Sequence, residues 1–240
     1  MVSVKFWYRN AMNKFSFFLH ACNIFLRRIG WVCVGLALSC QVSASSLDTL
    51  ALFLKTTHSG RAEFKQQVSS PPKAGQPVRS KQSAGHFAFM RPNKFRFEYI
   101  TPFAQTIVAD GDTLWLYDVD LAQVTARKQS QTLHTTPAAL IATATDLSAL
   151  QKDFTLQAQA DAEGLQWVQA LPKNKDSSLS HVRVGLRAEG ASVALAKLEI
   201  LDALGQRSVL NFERFETNPG GLSAAQFHFA PPKGVDVIRP

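Results

Sequence analysis

Beyond residue 40 the sequence has no cysteine: all three (Cys22, Cys33, Cys40) fall within the first 44 of its 240 residues. The later chain therefore excludes a disulfide scaffold, thiol catalysis and a cysteine-ligated metal. The first 44 residues lack any acidic side chain, yet they hold five of the 26 basic ones (Lys5, Arg9, Lys14, Arg27, Arg28). Without them, residues 45–240 carry 21 basic and 18 acidic groups, so the whole-chain charge of +8 falls to +3. The sequence pI of about 9.6 is then no argument for nucleic acid. Catalytic signatures are missing too: there is no Gly-x-Ser-x-Gly, no His-Glu-x-x-His and no phosphate loop. His58, His86, His134, His181 and His228 are too scattered for a metal site, and Asp110, Asp112, Asp118 and Asp120 lack EF-hand spacing and read as turn residues. No metal, cofactor or catalytic residue is expected. A periplasmic lipid hydrolase, the competing enzymatic class, has no motif to stand on.

What the first 44 residues do contain is the pattern of a secretory signal. A basic, acid-free stretch runs into the apolar segment Ile29–Leu38 and then the small-residue site Val42-Ser43-Ala44. The sequence predicts a signal peptide over 1–44 and one domain over 45–240. A membrane anchor would need a longer span than this ~10–12-residue apolar run. Lipidation at Cys40 would need a branched apolar residue three positions before it, where Ala37-Leu38-Ser39 precedes. The leader is long, so Met12 is a second candidate start, and Arg27-Arg28 lacks the flanks of a twin-arginine signal.

The rest of the chain alternates. Helical signal is confined to Ser46–Thr57, with Ser46 as N-cap and Leu47, Leu50 and Leu54 on one side, and to the segment after Thr136-Pro137. Strands are predicted over Arg61–Ser69, Ser80–Met90, Phe95–Ile100, Ala104–Ala109, Thr113–Tyr117, Gln123–Lys128, Phe154–Ala160, Leu165–Leu171, Val182–Arg187, Ala196–Leu201, Arg207–Phe215 and Gln226–Phe229. About a dozen short strands with tight turns imply a large antiparallel sheet that curls or closes.

Two connections break this rhythm. Ser69–Lys81, with Pro71, Pro72, Gly75 and Pro77, reads as a hairpin loop. Gln129–Lys152 is too long for one and holds an apolar helix begun by Pro137, with Leu140, Ile141, Leu147 and Leu150 as its apolar residues. An apolar insert needs something to cover: it is either a lid over one sheet face or a fixed helix plugging the barrel.

Two-residue turns at Thr101-Pro102 and Asp110-Gly111 would pair Phe95 with Val108 and Val108 with Thr113. One face would then gather Phe95, Phe97, Tyr99, Val108, Trp115 and Tyr117, a lipid-binding surface if the insert leaves it unfilled and plain core if not. Arg91 has the parity of Phe95. Its guanidinium would need acceptors, which Thr135, Thr136, Thr143 and Thr145 of the insert would supply, or else it would turn out into solvent at Pro92.

These residues carry a resemblance. Gly85-His-Phe-Ala-Phe-Met-Arg91-Pro92-Asn-Lys-Phe95-Arg-Phe-Glu-Tyr99, then Asp110-Gly111-Asp-Thr-Leu-Trp115-Leu-Tyr117, Thr136-Pro137-Ala-Ala-Leu-Ile-Ala142 and Phe227-His-Phe229-Ala-Pro231-Pro232-Lys-Gly234-Val235 resemble the LolA family of periplasmic outer-membrane lipoprotein carriers. The resemblance implies an incomplete antiparallel β-barrel of 11–12 strands whose apolar face is closed by an N-terminal helix and a short helical lid. It implies a monomer that receives acylated lipoproteins from the inner-membrane LolCDE transporter and passes them to the receptor LolB, without nucleic acid. By the same resemblance Arg91 would hold the lid shut and Phe95 would sit at the cavity mouth. Phe97 stands where tryptophan is common, and the sequence ends at Pro240 where some members continue into another strand. A LolB-like receptor and a lipoprotein-sensing domain share this fold and remain alternatives.

Overall fold

The computed structural model describes residues 45–71, 77–132 and 144–239, apart from the side chains of 131 and 132. The predicted signal segment 1–44, the tip of the Ser69–Lys81 loop and the middle of the insert, with Leu140 and Ile141, lie outside the described residues.

Helix α1 (Ser46–Thr56) begins one residue earlier than expected: Ser45, not Ser46, is the N-cap. The Ser45 hydroxyl accepts from the Leu47 amide at 3.2 Å, and the Ser45 amide donates to Asp48 Oδ2 at 3.2 Å, a reciprocal capping box. Ser46, Thr49, Leu50, Phe53 and Leu54 then form one buried helical stripe.

Among the described residues twelve strands follow: β1 (Ser59–Ser69), β2 (Ser80–Met90), β3 (Lys94–Thr101), β4 (Gln105–Ala109), β5 (Thr113–Asp118), β6 (Gln123–Lys128), β7 (Phe154–Ala158), β8 (Gln166–Pro172), β9 (Leu179–Glu189), β10 (Ser192–Asp202), β11 (Arg207–Thr217) and β12 (Asp236–Ile238). Between β6 and β7 come the short helices α2 (Gln129–Thr132) and α3 (Leu147–Asp153). All twelve strands form one open sheet in the order β12-β6-β5-β4-β3-β2-β1-β11-β10-β9-β8-β7. Every pairing is antiparallel except that of β12, which runs parallel to β6. The incomplete barrel is as expected, but its twelfth strand is not the predicted one. Gln226–Phe229 is no strand: Ala224–Phe227 is a 3-10 helix packed against β3.

Helix α1 lies on the inner face, where alternate residues of successive strands meet in one core: Phe64, Phe87, Phe89, Phe95, Phe97, Val184, Leu198 and Phe212 among them, with Leu50, Phe53 and Leu54 from the helix. At Gly85 the β2 backbone passes so close to the Glu98 carbonyl that a Cβ would collide with it, so only glycine fits.

The register between β3 and β5 differs from the sequence expectation in a way that matters. Phe95 pairs with Ala109, Phe97 with Ile107 and Tyr99 with Gln105, so the intervening turn, Ile100–Ala104, has an odd number of residues. An odd slip exchanges the faces of the following strand. The next turn is also longer than expected, since Ala109 pairs with Leu114 and Val108 with Trp115, but that change is even and keeps the parity. Phe95, Phe97 and Tyr99 therefore share their face with Ile107, Leu114 and Leu116. Val108, Trp115 and Tyr117 are on the other face, contrary to the expected grouping.

Candidate functional site

The inner aromatic face is continuous across β11, β1, β2 and β3, the β11 ring of Phe212 lying 5.3 Å from Phe87. The Phe87 and Phe97 rings lie 4.5 Å apart, Phe64 meets Phe97 edge-on at 5.4 Å and Tyr99 edge-on at 5.0 Å, and Phe95 is 6.1 Å from Phe97. Such pairs add to the area they bury and keep the surface rigid. Phe95 is 0% exposed and Phe97 3%, so the face is filled in this state. Ala144 and Leu150, from the end of the insert, are part of the same core, with Leu147 packed against it. Burial pushes the Tyr99 phenol up to about 12.

Toward β5 the cover thins. Ile107 and Leu114 are half-buried, and Leu116 is 36% exposed. The two-residue turns expected from the sequence would have put these three positions on the face opposite Phe95. Phe64, Phe87 and Phe89 were not singled out, although each has the correct parity within a strand that was read correctly.

On the outer face, Trp115 and Tyr117 instead pack on Phe229, at 5.6 and 6.0 Å between ring centroids. The segment after β11 crosses this face: Phe227 is 1% exposed, and Arg96 Nη1 donates to the Gln226 carbonyl at 3.4 Å. Val108 is fully buried but lies outside the inner core. Trp115 Nε1 also donates to Asp110 Oδ2 at 2.8 Å. Burial alone would raise the Asp110 carboxyl, but donation from the Thr113 amide, Trp115 and the Asp112 amide, with the nearby His228, outweighs it and holds the group below the ordinary carboxylate range.

Arg91 is half-buried at the end of β2, not turned into solvent. Its described acceptors are carbonyls at the C-terminal end of α1: Nη1 donates to Thr57 O and, at 3.5 Å, to Leu54 O. A helix C-terminus offers unpaired carbonyls and a negative dipole end, both of which suit a guanidinium. The cation also lies over the Phe53 and Phe89 rings, 5.1 and 5.0 Å from their centroids. Burial pushes its pKa down to about 10, so it is charged at neutral pH. Sequence reasoning sought acceptors in the insert; of those named, Thr135, Thr136 and Thr143 lie outside the described residues. Thr145 lines a pocket of about 720 Å³ with Arg91, Leu54, His58 and Leu147, between the end of α1 and the start of α3. Helix α3 is fixed by its N-cap Asp146, whose Oδ1 accepts from the Ala149 amide at 2.8 Å.

Among the described residues no helix is long and apolar enough to cross a membrane, and no group of three or more His, Cys, Asp or Glu could hold a metal. The candidate site is an apolar face with the Arg91 cation at one end of it. The family model described as "Outer membrane lipoprotein carrier protein LolA" matches residues 55–230. An "Outer-membrane lipoprotein carrier protein" of Albidiferax ferrireducens is 57% identical over 87% of this chain and 97% of its own, and one of Leptothrix cholodnii is 47% identical over 82% and 86%. Among solved structures, the LolA superfamily protein NE2245 from Nitrosomonas europaea covers 77% of this chain and 96% of its own at 13% identity, with a TM-score of 0.44. The chain belongs to the LolA outer membrane lipoprotein carrier protein family.

Proposed function

We propose that this protein carries acylated lipoproteins across the periplasm by burying their acyl chains against the inner aromatic face, and that it acts as a carrier and not as an enzyme. The observation that carries this reading is the closed core itself: phenylalanine rings on one wall, covered by α1 and the end of the insert, with the Arg91 cation bonded to the end of α1. At ~0.8 kcal/mol per CH₂, acyl chains with several tens of methylenes cost tens of kcal/mol to expose in water, so they must be covered throughout the crossing. Nondirectional aromatic surface can cover many cargoes.

Loading then means displacing the cover. The Arg91 bonds to α1 stabilise the closed, empty state and so lower the net affinity for cargo, which favours release to a better acceptor. In this reading the donor is the inner-membrane LolCDE transporter, the acceptor is LolB, and the protein works as a monomer freed of its leader at Ala44. Support for the location comes from the leader pattern and from family membership. Mass spectrometry of the protein purified from a periplasmic extract tests the whole proposal. Copurifying triacylated lipoproteins and an unmodified N-terminus at Ser45 are expected. Recovery without any acylated species would overturn carriage, and an acylated Cys40 would move the assignment to a LolB-like receptor.

A further inference from the structure

The described residues include one buried amide that carriage by itself does not explain. Gln129, the first residue after β6, is 1% exposed. Its Nε2 donates to the Asn93 carbonyl at 2.7 Å, its Oε1 accepts from the Gly111 amide at 3.0 Å, and its own amide donates to the Asp112 carbonyl at 2.8 Å. Three connections at one end of the sheet are thus joined by one residue: the β2–β3 turn, the β4–β5 turn and the root of the insert. The β2–β3 turn is the one that carries Arg91, and Asn93 within it has a left-handed φ of 62°. Asparagine takes this left-handed conformation more readily than most residues, and the bond to its carbonyl adds an outside contact that holds the turn.

We propose that Gln129 is a positioning residue for Arg91: it holds the β2–β3 turn in the conformation from which the guanidinium reaches the end of α1, and so couples the root of the cover to its latch. The inference rests on the latch reading of Arg91 given above. A displacement that begins at α2 would be felt first at Asn93, two residues from the latch, and would loosen Arg91 as the cover lifts. A hydrophobic residue of equal size would fill the same space without that coupling.

Gln129→Glu separates the two side-chain bonds. The carboxylate keeps an oxygen for the Gly111 amide but sets an oxygen against the Asn93 carbonyl, where the donor was. Two measurements follow. By hydrogen exchange, the Arg91 amide, which bonds the His58 carbonyl at 2.8 Å, should exchange at least several-fold faster in the variant, while the Gly111 amide should change less. An unchanged Arg91 amide overturns the positioning role whatever the latch does. In cargo assays with a fluorescent triacylated lipopeptide, Gln129→Glu should lengthen retention about twofold to tenfold, the span one hydrogen bond sets. It should have no further effect in an Arg91→Leu background. Equal effects in both backgrounds would mean that Gln129 acts only on general stability, and the inference fails. If Arg91→Leu alone changes neither retention nor transfer, the latch reading falls, and the exchange result still decides the role of Gln129. Should a buried carboxylate prevent folding, Gln129→Met removes both side-chain bonds without charge and goes through the same two measurements, with the Gly111 amide, its acceptor gone, then expected to exchange faster as well.

Discussion

The Arg91 guanidinium lies over the Phe53 ring, 5.1 Å from its centroid, so the cation rests on the same helix whose end carbonyls it bonds. The arrangement joins a cation with burial-lowered pKa to an aromatic ring and to helix-end carbonyls in one contact. In the proposed cycle its strength sets how readily the apolar face is uncovered.

Arg91→Leu removes this contact and adds apolar surface beside the same ring. Each charged hydrogen bond lost from the closed state is worth ~1.5–3 kcal/mol, and about 1.4 kcal/mol shifts an equilibrium tenfold. A triacylated lipopeptide should be held at least about tenfold longer and handed to an acceptor correspondingly more slowly. Because Arg91 stays protonated up to about 10, wild-type retention should be insensitive to the state of this group between pH 5 and 8. Unaltered retention and transfer in the variant would remove Arg91 from the cycle.

Phe95→Glu should not be tolerated as a surface change would be. Phe95 is wholly enclosed in the closed state, and an unpaired carboxylate there costs several kcal/mol. The midpoint of urea unfolding should fall markedly at pH 7, with lipopeptide binding lost. A wild-type midpoint would show that the ring faces an open, wetted space.

The register assigns opposite outcomes to near neighbours. Ile107→Asn alters the inner face and should weaken lipopeptide binding. Trp115→Ala, on the outer face, should leave binding intact and cost about 2–3 kcal/mol of stability, less than a fully buried ring would. Titration with the lipopeptide beside thermal unfolding checks both, and a binding defect confined to Trp115→Ala would reverse the face assignment.

Asp110 supplies a pH-dependent part of stability. Its folded pKa lies below the unfolded value, so its contribution is complete above the unfolded carboxylate range near ~4 and is lost as the pH falls through the folded value. Asp110→Asn should therefore be less stable than wild type at pH 7, with the gap closing toward pH 2. Urea midpoints across that range measure it; a gap independent of pH would deny the carboxylate its role.

Local pattern alone determined a good deal about this protein. Period-two alternation placed β2 and β6 at their observed bounds, because a half-buried strand writes its pleat directly into the order of side chains. The Arg91-Pro92 and Asp110-Gly111 motifs identified the family without any geometry. The first helix was legible from its apolar spacing, though not its cap, since Ser45 and Ser46 are chemically equal and only the turn of the backbone chooses between them.

The faces of β4 and β5 were decided by tertiary structure. One extra residue between Tyr99 and Gln105 sends Ile107 inward and Val108 outward, and the length of a turn is not encoded in the alternation on either side of it. Phe227 and Phe229 alternate like a strand yet serve a 3-10 helix and a strap, because an apolar residue records that it is covered and not whether it joins a sheet edge or crosses a sheet face. The acceptors of Arg91 were equally out of reach. They are main-chain carbonyls at the end of α1, which any sequence could present, and only the docking of that helix on the inner face, with Phe53 beside Phe89, brings them to the guanidinium.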